Sequence, residues 1–219
     1  MDDSKKYQSL SKWIDIKSLK NPTEIIAIKP KTSLSFKEMN DYACLFGAWL
    51  QTRAYITRSA KIAVLTPYNR SYLVAVTAIW RVGGCVVDLD PNSNDLAKQL
   101  IDTEVELVIL GNEYKKLLPL LKKTNIKCIV TTSARDLGKL YILYTLFGFK
   151  FPGTTRLTRA ILEGNGLPLV VPNTYPVEFA VICFKDKKHI YTHQDIFNKL
   201  PNMLSVNLSK FLLQILKNY

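Results

Sequence analysis

The stretch KIAVLTPYNRSYLVAVTAIWRVGGCVVDLDPN, residues 61–92, decides the fold. It opens on the apolar run Ile62, Ala63, Val64 and Leu65, which stops at Pro67. Residues 71–81 follow as a very apolar segment with Leu73, Val74, Val76, Ala78, Ile79 and Trp80. Gly83 and Gly84 end it, since glycine accepts the left-handed backbone that closes a helix. Cys85, Val86 and Val87 then read as a β-branched strand running into Asp88-Leu89-Asp90-Pro91. Strand, helix and strand in so short a span make a βαβ unit, with its two strands parallel.

The same alternation extends outward in both directions. Residues 95–102 predict a helix, 105–110 a strand, 114–122 a helix and 126–130 a further strand. On the other side, residues 25–28 form a short apolar run closed by Pro30, and residues 34–36 read as its hairpin partner or the start of a helix. Ser35 and Glu38 have capping-box spacing. Beyond them Met39, Tyr42, Ala43, Phe46, Trp49 and Leu50 recur at helical intervals, which buries one face. Four apolar strands separated by helices predict an α/β fold, a largely parallel sheet flanked by helices on both faces.

Past residue 130 the pattern loosens. Residues 134–147 are apolar and helix-like, flanked by Lys139, Lys150 and Arg156. Residues 157–162 read as a short helix stopped by Gly164-Asn165-Gly166. A loop with Pro168, Pro172 and Pro176 leads to the strand 179–184. The next residues, Lys185-Asp186-Lys187-Lys188-His189-Ile190-Tyr191, contain no glycine and read as a basic turn. Residues 194–218 carry Ile196, Leu200, Leu204, Leu208, Leu212 and Leu216 at helical spacing, with a break at Pro201. The expected division is an N-terminal arm over 1–20, an α/β subdomain over 21–193 and a helical segment over 194–219.

Composition narrows the function. A hydrophobic fraction of 47% with 22% charged residues is ordinary for a globular chain, so disorder is not expected. Thirty Lys and Arg against 18 Asp and Glu leave a net charge of +12, which favours contact with an anion. The lysines are scattered and no run has the length of a nucleic-acid tail, so no nucleic-acid partner is expected. Cys44, Cys85, Cys128 and Cys183 lie far apart, which fits neither a metal knuckle nor a disulfide framework. The polar start, Met1 to Lys6, lacks an apolar continuation, so no signal peptide is expected and the location read is cytoplasmic. Residues 139–156 are basic, aromatic and apolar together. That mix suits a helix on an anionic membrane surface, and equally suits burial against the remainder of a larger enzyme body.

Individual candidates are modest. His189 and His193 are four apart, but a strand end and a helix start would set them on different faces, so no metal site is expected. Asp88 and Asp90 before Pro91 suit capping and turn formation better than acid–base work. There is no nucleophile elbow. Trp13, Ile14 and Ile16 read as a packed arm rather than a partner-binding helix.

Taken together, the residues resemble the N-terminal part of the adenylate-forming acyl-CoA synthetase family, in its long-chain fatty-acid branch. The matching segments are Leu34 to Asn40, Lys61 to Asn69 and above all Ala78 to Asn92, with its helix, Gly-Gly, strand and Asp-Pro order. Residues 141–166 are similar to the branch's basic, apolar insertion, and Tyr191-Thr192-His193 resembles the Leu-Thr-His after the family's phosphate loop. The resemblance implies a two-step ligase using ATP, Mg²⁺ and CoA to make an acyl-adenylate and then an acyl thioester. It also implies a Ser/Thr/Gly-rich phosphate loop directly after the strand 179–184, where glycines let backbone N–H groups wrap the phosphates.

Here the chain departs from that pattern. Only seven residues separate Phe184 from Thr192, and Lys185, Lys187 and Lys188 are the sole phosphate-loop remnant. Lysines act as point charges and do not replace oriented backbone donors. The family's Mg²⁺ carboxylate, ribose aspartate and C-terminal lysine have no counterpart before Tyr219. The expectation is a degenerate, truncated N-terminal subdomain with no catalytic residues and no cofactor of its own. The alternatives are one half of a split ligase completed by a separate C-terminal fragment, and a non-enzymatic protein on membrane or acyl surfaces.

Overall fold

The computed structural model describes residues 9–27, 33–137, 152–184 and 187–199. In chain order the elements are α1 (Leu10–Lys20), β1 (Ile25–Ala27), β2 (Ser33–Ser35), α2 (Phe36–Thr52), β3 (Lys61–Leu65), α3 (Arg70–Arg81) and β4 (Cys85–Asp88). There follow α4 (Leu96–Asp102), β5 (Leu107–Gly111), a 3₁₀ turn (Asn112–Leu117), α5 (Leu118–Leu121), β6 (Cys128–Thr132), β7 (Thr155–Arg156), α6 (Leu157–Gly164), β8 (Phe179–Phe184), β9 (Lys188–Thr192) and α7 (His193–Lys199). Seven strands form one sheet in the order β7-β6-β5-β3-β4-β8-β9, and every pairing is parallel except β8 with β9. The α/β fold with a largely parallel, helix-flanked sheet is therefore what the chain adopts. β1 and β2 form a separate antiparallel pair.

Strand alternation explains the two cores. Ile62 and Val64 of β3 point into the layer of α1, α2, α3 and α6, whereas Ala63 and Leu65 point to the opposite face, under α4 and α5. A sheet buried on both faces needs apolar residues at every position, which is why β3 and β5 carry no alternating polar pattern. Within the first layer every residue of α3 from Ser71 to Arg81 is buried. Its buried charge is neutralised locally: Arg81 donates to Asp15 Oδ1 on α1 at 2.6 Å and to Asn40 Oδ1 on α2. Trp80 Nε1 donates to the Ala180 carbonyl of β8 at 3.0 Å.

The residues 34–36 serve both expected roles, since β2 pairs with β1 and Ser35 closes the capping box with Glu38. The N-terminal residues fold as α1 and pack through Leu10, Trp13 and Ile14, with Trp13 edge-on to Phe36 at 6.3 Å. Other boundaries differ. The helix expected over 114–122 is a 3₁₀ turn, non-helical at Tyr114, joined to a single α-turn. Pro119 at the start of that turn lacks the N–H to continue a helix from upstream. The strands expected at 105–110 and 126–130 lie about two residues later. Residues 134–137 form a turn rather than the start of a helix; residues 138–151 lie outside the described residues, as do residues 200–218 of the expected C-terminal helix. Among the described residues no helix is long and apolar enough to cross a membrane.

α6 docks on α2 so closely that a Cβ on Gly164 would lie 2.0 Å from the Leu45 carbonyl oxygen. A backbone atom cannot swing aside as a flexible side chain does. Gly164→Ala is expected to cost about 1–3 kcal/mol, read as a lower urea midpoint at unchanged slope.

Candidate functional site

In a doubly wound sheet ligands sit outside the carboxyl ends of the strands, where the chain reverses its direction of travel across the sheet. Here β3 is central. The chain steps from it to β4 on one side and then crosses back to β5 on the other. The residues at that crevice are Thr66, Tyr68 and Asn69 after β3, Asp88 at the end of β4, Gly111 at the end of β5 and Glu113 after it. Gly111 lets the two loops meet: a Cβ there would lie 2.7 Å from Glu113 Oε2 and 3.2 Å from Thr66 Oγ1. Asn69 caps α3 by accepting from the Tyr72 N–H at 3.1 Å. Thr66 Oγ1, Asn69 Nδ2, Ser71 Oγ and Tyr72 OH are buried without a hydrogen-bond partner.

Asp90 makes the expected turn, accepting from the Asn92 N–H at 2.9 Å. Asp88 does not cap anything. It is partly buried and makes no hydrogen bond or ion pair among the described residues, and burial pushes its carboxyl up to about 7. Tyr68 and Tyr72 stand edge to face at 4.8 Å, and burial raises both phenols, with the Asp88 charge adding to the effect. No sequence pattern marks Asp88, because a strand-terminal Asp before Pro reads as a turn residue.

One strand further along the edge, Asp136 is fully buried and collects four donors: Thr132 Oγ1, the Ser133 N–H and Oγ, and Arg156 at 2.8 Å. This latch ties the turn after β6 to β7. It also assigns Arg156, one of the cations read as flanking a membrane-facing segment, to an internal ion pair.

The resemblance puts its phosphate loop at the end of β8. The reading of residues 185–191 as a turn is corrected here: Lys188–Thr192 is strand β9, paired antiparallel with β8. Phe184 stands opposite Lys188, so three residues connect the strands. Lys188-His189-Ile190-Tyr191 has no alternating polar and apolar pattern, so the sequence offered no local signal for this strand. Lys187 and Lys188 are exposed, and Lys185 lies outside the described residues. A three-residue connection is too short for the nest of N–H groups that a triphosphate requires.

The two histidines separate as expected. His189 sits in β9, while His193 starts α7, buried, with Nδ1 accepting the Leu10 N–H. Among the described residues no three His, Cys, Asp or Glu side chains converge as a metal site. Burial pushes the Cys85 thiol up to about 12 and raises Cys44 and Cys128, which leaves none of these three as a thiolate.

The AMP-binding enzyme family matches residues 15–157, more than half of the chain. The chain belongs to the AMP-binding enzyme family. A long-chain-fatty-acid–CoA ligase of Escherichia coli O157:H7 is 24% identical over 220 residues, covering 91% of this chain and 37% of that ligase. The corresponding ligase of Haemophilus influenzae is 26% identical over 137 residues, 61% of this chain and 24% of its own length. The chain thus spans about a quarter to a third of these curated ligases. In structure it superposes on a long-chain-fatty-acid–CoA ligase from Archaeoglobus fulgidus with a TM-score of 0.68 at 19% identity, covering 87% of this chain and 38% of that one. A putative long-chain-fatty-acid–CoA ligase from Rhodopseudomonas palustris gives 0.76 at 12% identity, covering 95% and 55%. These likenesses establish the fold of the family's N-terminal part.

An acid held near 7 against an ordinary 3.8 binds its proton more readily in the folded chain than in the unfolded one. Its contribution is present at low pH and is lost as pH rises toward and through 7. Asp88→Asn is therefore expected to match the wild type in stability near pH 4 and to exceed it by about 1–3 kcal/mol at pH 8. Parallel urea midpoints across that range would contradict the assignment.

Proposed function

We propose that this AMP-binding family chain is a form of the long-chain fatty-acid–CoA ligase N-terminal subdomain that does not itself catalyse adenylation. The observation that carries the reading is the β8–β9 connection. In a reaction driven by positioning and by oriented donors, a three-residue link between Phe184 and Lys188 leaves the triphosphate without its cradle. Lys187 and Lys188 offer charge at the surface, and point charges in water do not orient a leaving pyrophosphate.

The second reading, one half of a split ligase, is favoured by a specific surface. Val170, Tyr175, Val177 and Phe179 are more than half exposed along the segment entering β8, next to the open edge strand β9. Apolar residues gathered beside an unpaired strand edge suit a protein partner.

The test is ATP–pyrophosphate exchange by the purified 219-residue chain with fatty acids of several lengths, alone and mixed with a separately expressed C-terminal ligase portion. No exchange in either case is expected. Exchange by the chain alone overturns the reading, and exchange only in the mixture moves it to the split enzyme.

A further inference from the structure

The first turn of a helix leaves N–H groups without intrahelical acceptors, and nearby side chains normally satisfy them. In α1 Ser9 does part of this, its Oγ accepting the Lys12 N–H at 3.3 Å and its carbonyl the Trp13 N–H. The Leu10 N–H goes elsewhere. It donates to Nδ1 of His193, 183 positions away, at 3.2 Å. The ring that accepts it is 1% exposed and stands edge-on to Trp80 at 6.5 Å. Accepting at Nδ1 requires the neutral imidazole with its proton on Nε2.

Protonation reverses the contact. An imidazolium carries N–H at both nitrogens, so a donor would face a donor, and a positive charge would sit at the positive end of the α1 dipole. Charged and titratable groups on the surrounding elements include Lys12, Asp15, Lys17 and Lys20 on α1, Arg70 and Arg81 on α3, Glu178 before β8, Lys188 and His189 on β9 and Asp195 on α7. Asp15 is engaged by Arg81, Asp195 accepts from Thr192, and Glu178, the acid whose charge reaches the imidazole, is held by Arg58. Each of these acids already has a partner, and Glu178, held by Arg58, is the one whose charge favours the imidazolium against the burial that opposes it.

We propose that His193 is a proton-operated lock on the N-terminal helix: the neutral ring holds α1 against α2 and α3, and the imidazolium releases it while the parallel sheet stays folded. Release bares the Leu10, Trp13 and Ile14 face together with Phe36 beneath it, and frees Arg81 of its Asp15 partner. α1 takes no part in the seven-strand ladder, so it can open below the cost of global unfolding.

Burial pulls the His193 ring down to about 4, with the Glu178 charge pushing the other way, against an ordinary 6.5. The undocked ring takes its proton more readily than the docked one. Docking is therefore fully favoured above about 6.5 and is lost as pH falls from there toward 4.

The experiment is amide hydrogen exchange on the full chain at pH 7 and pH 4.5, corrected for the intrinsic pH dependence of exchange, for the wild type and His193→Gln. The wild type should open α1 on the order of 10- to 100-fold more readily at pH 4.5, with no matching loss of protection in β3, β4 and β5. The glutamine amide keeps an uncharged acceptor, so that variant should show no such change. Equal α1 protection at both pH values, or the same pH dependence in His193→Gln, overturns the proposal. If the variant does not fold, an ¹⁵N imidazole titration of the wild type decides. A His193 midpoint coincident with loss of α1 protection supports the lock, and a separated midpoint refutes it.

Discussion

A helix with no solvent side dictates the rest of this molecule. α3 is buried from Ser71 to Arg81, so its largest polar groups, the Arg81 guanidinium and the Trp80 indole N–H, are answered from neighbouring elements. Arg81 draws Asp15 from α1 and Asn40 from α2 to the same point. Trp80 fixes β8 through its indole N–H and places an aromatic wall beside His193. Thr77 lies against the Met39 sulfur. Residues far apart in sequence thereby meet around one apolar rod, and α1, α2 and β8 inherit their positions from it.

What the sequence made legible follows from local physics. The apolar run of α3, the Gly83-Gly84 stop and the Ser35–Glu38 box act within a few residues, so their spacing alone predicts them. The parallel strands were readable because burial on both faces leaves apolar residues at consecutive positions, Ile62 to Leu65 in β3 and Leu107 to Leu110 in β5. The parts that escaped depend on pairing at a distance. β9 is a half-exposed strand with lysine at its start, and only its ladder with β8 makes it a strand. β7 has two residues, defined by its ladder with β6, and its Arg156 is bound by Asp136 from the turn after β6. His193 could not be read from its neighbours, since its partner is the first amide of α1.

The candidate site was legible in outline and not in content. The end of β8 was recognisable as a phosphate-loop position lacking glycine, and the register of β9 then reduced the loop to three residues. Asp88, the most perturbed acid at the carboxyl edge, looked like a turn former because nothing local reveals that a strand end will be desolvated. The sheet of the AMP-binding family is thus present around α3 and the central strands, and the β8–β9 hairpin stands where the resemblance would put the phosphate loop.

Direct nucleotide binding tests that contrast best. Thermal-shift titration of the chain with ATP, AMP, CoA and fatty acids is predicted to leave the midpoint unmoved by ATP and AMP. A saturable rise with either nucleotide would show a working phosphate site and contradict the account.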